Sequence, residues 1–256
     1  MVAIIIGLII ILIVIVVVVN AIQQQKQKQE QEKRAKIAKQ KAIIDENEEL
    51  IINLSNIPAS PNLSLILHRR SLNAAKEMKN LSPESKATAS RVDELQSRID
   101  SAKDTAQAST GKEEQFMLPD NEKQIIAILQ LIKKLRVVLK SELTKGVIDP
   151  QVFSMEDKRL DSMQLKINIE SLVKRGNQAY SNDMVGSARQ YYEKALQTLT
   201  DHPNQSEYAI QKKAEVSDKL GEITTQLKSA NAEDRAKKAK EEEDELDMLF
   251  QPKKKW

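Results

Sequence analysis

Cysteine is absent from this 256-residue chain, which excludes a disulfide framework, a thiolate metal site and a cysteine nucleophile. Histidine occurs only at His68 and His202, on separate segments and without metal-ligand spacing. Aromatic residues make up 3%, with six glycines and seven prolines, a poor supply for a β-sandwich or a doubly wound sheet. A dominant sign of charge is also missing. Forty Lys and Arg against 37 Asp and Glu leave a formal net charge of +3, so no global field draws in nucleic acid. No nucleophile elbow, glycine-rich cradle or metal box occurs. Thr110-Gly111-Lys112 lacks the first glycine of a phosphate loop, and Glu113 stands where that loop needs a hydroxyl. The chain is therefore expected to be no enzyme, with no catalytic, cofactor-binding or metal-binding residue.

What the chain does have begins at its first residues. Val2 to Val19 is an unbroken apolar run, and no charge appears until Lys26. About 20 helical residues cross a bilayer core of about 30 Å, and the run extended to Ile22 has that length. In lipid a lone segment must satisfy its backbone internally, which makes it a helix. Residues 1–22 are expected to form a retained single-span anchor rather than a cleaved signal, because a charged leading region is lacking and the run is long. Lys26, Lys28, Lys33, Arg34, Lys36, Lys39 and Lys41 follow closely. The positive-inside bias then places the N-terminus outside and the body in the cytoplasm.

Residues 23–57 read as a stalk. Gln23 to Arg34 is polar on every face and rich in helix formers. From Ile37 apolar residues return, at Ile37, Ile44 and Ile51, with Ile43, Leu50, Leu54 and Ile57 beside them. That seam packs on the body of the protein or on a second copy. Ala3 and Gly7 form a small-xxx-small pair that would suit a homo-oligomer through the anchor.

Pro58 and Pro61 break the helix, and Ser60 caps the next one with Pro61 at its first position. Leu63, Leu67, Ala74, Met78 and Leu81 share one face. After Ser82-Pro83, the residues Val92, Leu95, Ile99, Ala102 and Ala106 make a second stripe, so 58–108 is expected to be an antiparallel hairpin. Residues 109–118 have no helical period and read as a linker. Pro119-Asp120 opens the most apolar helix outside the first run, from Ile125 to Leu139, which should lie centrally. Gly146 ends it and Asp149-Pro150 starts the next. The fold class is all-α, with an anchor and stalk followed by helical hairpins, and 119–232 form the main bundle.

Within that bundle, Leu172 to Leu199 resembles a tetratricopeptide repeat over about 169–203. Gly176, Ala188, Tyr192 and Ala195 stand at the family's spacing for its glycine, two packing alanines and intervening aromatic, and Leu172 fits the early apolar position. Arg175 stands where leucine is usual, Asp183 replaces a turn glycine, and Pro203 comes about three residues late. The resemblance implies a close helix pair, with Asn177 and Tyr180 on a concave face that grips extended peptide.

A charged tail, 233–256, expected as frayed helix or disorder, carries Leu246, Met248, Leu249 and Phe250 near its end. Bulky apolar groups there are expected to dock on a partner or fold back on the bundle. The whole arrangement also resembles a family of bacterial single-pass inner-membrane proteins, some of which carry the label "DNA repair ATPase". The likeness lies in the anchor, QKAIIDE, LILHRR (Leu65–Arg70), DNEKQIIA (Asp120–Ala127), GSARQYYEKAL and FQPKKKW; it implies residence in the inner membrane and no particular activity. The expected function is a membrane-tethered scaffold or adaptor that binds a protein on the cytoplasmic face. The alternative is a membrane-associated nucleic-acid binder using Arg69, Arg70, Lys133, Lys134 and Arg136, whose binding would fall steeply with salt.

Overall fold

The structure is a computed structural model that describes residues 2–58, 60–108, 119, 121–204 and 206–250, with side chains described for 15–58, 60–103, 119, 121–204, 206–229 and 231–240. Seven α-helices occur among them: α1 Val2–Asn53, α2 Pro61–Leu81, α3 Lys86–Ala108, α4 Glu122–Thr144, α5 Pro150–Ser181, α6 Val185–Asp201 and α7 Glu207–Phe250. No strand occurs among the described residues, so the chain is all-α, as its aliphatic seams predict. The linker expected over 109–118 lies outside the described residues.

Residues 1–117 and 130–157 form one compact unit, and residues 118–129 and 158–256 a second. In the first unit, α1 packs along α2, and α2 along α3. Their shared core holds Ile44, Leu72, Ala75, Leu95 and Ile99. The seam of α1 thus closes on the body of the protein. A 3-10 turn, Leu54–Asn56, ends α1, and Ile57 is extended ahead of Pro58, as the residue before proline prefers. Ser60 then caps α2, its hydroxyl accepting from the Leu63 N–H at 3.3 Å while donating to the buried carboxylate of Glu156 at 2.9 Å.

Several polar groups buried in this unit are held by partners. Asn47 donates to Ser71 at 3.0 Å and accepts from Arg70 at 2.7 Å. Arg70 also lies 3.1 Å from Glu46 and 3.5 Å from Glu142, a buried carboxylate that pairs with Lys145 at 2.6 Å. Buried charge survives only when paired in this way. In α4, Leu131, Ile132, Leu135, Val138 and Leu139 are buried, while Val137 is 69% exposed. The helix is therefore covered on most sides but not all. Gly146, at φ +70°, closes its C-terminus, with Val147 donating to the Glu142 carbonyl at 3.0 Å.

In the second unit, the core runs through α5, α6 and α7, with Ile169, Val173, Ala188, Tyr192, Leu199 and Val216 among its members. Helices α5 and α6 are joined by a turn through Asp183, whose φ of +59° is the one non-glycine residue with positive φ among those described. Asp183 thus stands where glycine is favoured. Ser206 caps α7, accepting from Ala209 N–H at 3.2 Å. The charged stretch expected as a tail continues α7 as helix to Phe250, because Glu, Lys and Ala are strong helix formers. Residues 231–240 are exposed throughout.

The N-terminal run is the start of α1, which is continuous from Val2 to Asn53. The side chains of residues 1–14 lie outside the description. Among the described residues no helix is long and apolar enough to cross a membrane. The described end of the run, Ile15 to Val19 with Ile22, is 47% to 62% exposed.

Candidate functional site

The candidate site is a groove in the second unit. Its walls are the first turns of α4, the C-terminal half of α5 and one face of α6, and it holds about 650 Å³. Ile125, Ile126, Leu129 and Leu172 supply an apolar floor. The apolar repeat of α4 is wider than the face it buries: Ile125 and Ile128 turn inward, leaving Ile126 52% exposed in the groove. Concave, partly apolar surfaces with a few polar groups are the usual form of a binding site.

The rim is cationic. Lys174 and Arg175 come from α5 and Lys194 from α6, against one carboxylate, Glu122, at the start of α4. Arg175 Nη2 and Glu122 Oε1 are 3.0 Å apart, an exposed ion pair, and such pairs exchange partners at little cost. In the groove wall the Ser171 hydroxyl oxygen is enclosed without a hydrogen-bond partner.

Two close contacts fix the helices that carry these groups. Gly176 lies under the ring of Tyr192; a Cβ built there would meet the ring at 3.0 Å. The Tyr192 hydroxyl donates to Asn177 Oδ1, and burial pushes its pKa up. On the other side of α5, Tyr208 donates to Glu170 at 2.8 Å. Burial, then the Glu170 carboxylate, raise the Tyr208 pKa strongly. Lys212 bridges Glu170 and Glu215 at 3.3 and 3.0 Å. Burial opposes its charge, but hydrogen bonds and the fields of Glu215 and Glu170 prevail and raise its pKa.

The residues expected to grip peptide are placed differently from the groove. Asn177 holds Tyr192, and Tyr180, 45% exposed, donates to Gln226 of α7 at 2.9 Å. Helix α7 thus engages that side of α5, and both residues have internal partners. Gln178, between them in sequence, lines the groove instead. Leu246, Met248, Leu249 and Phe250 lie outside the described side chains.

Three of the basic residues are paired with carboxylates. Lys134 pairs with Glu49 of α1 at 3.4 Å, Arg136 with Asp157 of α5 at 2.8 Å, and Arg70 with the acids named above. Arg69 and Lys133 are exposed. Of the histidines, His202 Nε2 meets Asp161 at 3.1 Å. His68 is buried with Nδ1 unpartnered, and desolvation, then the charge of Arg98, lower its pKa. Among the described residues no group of acids and histidines is arranged to hold a metal ion.

Sequence reasoning passed over Lys174 and Lys194, and read Ile126 only as part of the apolar repeat of α4. It did note Arg175, as a charge where the repeat pattern has leucine, and that departure marks the groove. Comparison with protein-family models, curated proteins and solved structures finds no match to this chain.

Proposed function

We propose that the protein is a membrane-tethered helical adaptor, carried on a single N-terminal span, whose bundle binds a protein segment on the cytoplasmic face. The observation that carries this reading is α1. One end is apolar on every side and its described part is open to solvent, while the other end is packed into the first unit's core. Exposed apolar surface of that extent is unfavourable in water and favourable in lipid. The lysines after Gln23 support the inward orientation. The groove in the second unit, with its apolar floor and cationic rim, supports a protein segment as the ligand. The pairing of partly buried Arg70 and Arg136 with carboxylates works against the nucleic-acid alternative, since those charges already have partners.

Fractionation of cells tests the tether. The full chain stays with membranes through carbonate washing, and a variant lacking residues 2–22 is released; equal release of both overturns the reading. A reporter fused after Trp256 is active in the cytoplasm only. In-cell crosslinking of Lys174→Glu/Lys194→Glu tests the adaptor role: a specific crosslinked partner band is lost relative to the parent chain, and an unaltered band removes the groove as the binding surface.

A further inference from the structure

We infer that the groove receives the acidic, apolar-tipped end of α7 from a second copy of this chain. The inference rests on the adaptor reading and names one of its partners.

The complementarity is one of charge and of shape. Glu241 to Phe250 reads EEEDELDMLF, six carboxylates followed and interrupted by Leu246, Met248, Leu249 and Phe250. The groove offers the inverse: Lys174, Arg175 and Lys194 around Ile126 and Leu172, with Glu122 as the opposing charge. A carboxylate entering there competes with Glu122 for Arg175, an exchange between exposed ion pairs. The apolar side chains of the segment then cover Ile126, which its own bundle leaves 52% exposed.

Helix α7 decides whose segment it is. Gln226 is level with Tyr180, just past the Gln178 end of the groove. From Gln226 the helix continues unbroken to Phe250. At about 1.5 Å per residue, Leu246 lies about 30 Å beyond that level. The chain's own end therefore cannot enter its own groove without breaking α7, whereas a neighbour's end can. The contact is head-to-tail, so each copy offers one groove and one end, and the association extends to further copies or closes into a ring. Confinement on one membrane raises the effective concentration of ends at grooves.

The test uses the full chain in mild detergent and a fluorescent peptide of residues 241–250. Anisotropy should show saturable binding that weakens several-fold from low to moderate salt. Lys174→Glu/Lys194→Glu, at two exposed positions, should weaken it more than tenfold. Glu122→Gln should tighten it about threefold by removing the competing carboxylate, a gain that misfolding cannot mimic. Peptide carrying Leu249→Asp and Phe250→Asp should not bind. Because the chain has no cysteine, an Ile126→Cys copy mixed with a Leu249→Cys copy should form a disulfide-linked pair on oxidation. Peptide affinity indifferent to positions 122, 174 and 194 overturns the inference, as does a monomeric internal disulfide in the double variant. If the peptide fails while the charge-reversed groove still loses a different partner in cells, this inference falls and the adaptor reading stands.

Discussion

Gly176 and Gly221 are both helical glycines, and their surroundings give the same substitution opposite signs. Alanine is favoured over glycine inside a helix by about 0.5–1 kcal/mol. At Gly221 a Cβ meets nothing within 4 Å, so Gly221→Ala should raise the unfolding midpoint by an amount of that order. At Gly176 a Cβ meets three carbons of the Tyr192 ring at 3.0 to 3.3 Å. That ring is buried and held at its hydroxyl by Asn177, so it has little room to withdraw. Gly176→Ala should lower the midpoint, and thermal unfolding of the pair decides. His68 gives a pH signature. Its folded pKa lies below the ordinary value of 6.5, so on acidification the unfolded chain takes up the proton first. Stability contributed by the neutral ring is present above about pH 6.5 and is lost as pH falls through the window below it. The midpoint of the parent chain should therefore drop more between pH 7 and pH 5.5 than that of His68→Gln. Arg98 and Glu94 line the same cavity as this ring. Equal drops would sink the assignment.

The helices are bounded where side-chain chemistry requires, which is why most of their ends were legible in the sequence. Ser60 with Pro61, Gly146, Asp149 with Pro150, and Ser206 each do locally what their residue type does in any chain. Ser60 has a second task that spacing does not reveal, its bond to Glu156, 96 positions away. Ser60→Ala should cost about 1–2 kcal/mol, combining the lost cap with a weakened hold on a buried carboxylate. Urea unfolding with an unchanged slope should show it. The aliphatic stripes on α2, α3 and α4 also read correctly as inward faces. Buried Asn47, Glu142 and Glu156 did not, because a polar residue goes inside only when distant partners meet it, and those partners are set by packing. The groove was hidden for the same reason. It needs the start of α4, α5 and α6 brought together, and neither Lys174 nor Lys194 is unusual on its own helix. The sequence left the extension of α7 open between frayed helix and disorder, and a fully charged segment with no core face still has strong helical propensity.

At the scale of the molecule, the two compact units divide α4 and α5 in mid-helix. No linker composition marks such a boundary, since a helix crossing it keeps its ordinary repeat. The exposure of residues 23–36 has a further consequence, because α1 is one uninterrupted helix. Each residue added or removed there changes length by about 1.5 Å and direction by about 100°. Removing seven residues from Gln23–Arg34 should draw the first unit about 10 Å closer to whatever holds residues 1–22, with only about 20° of rotation. Removing five should draw it about 7.5 Å closer and turn it by about 140°. If partner capture requires a set facing, crosslinking should survive the seven-residue deletion and fail with the five-residue one. If only distance matters, the order reverses. The stretch between the apolar run and the bundle then acts as a crankshaft, transmitting twist as faithfully as length.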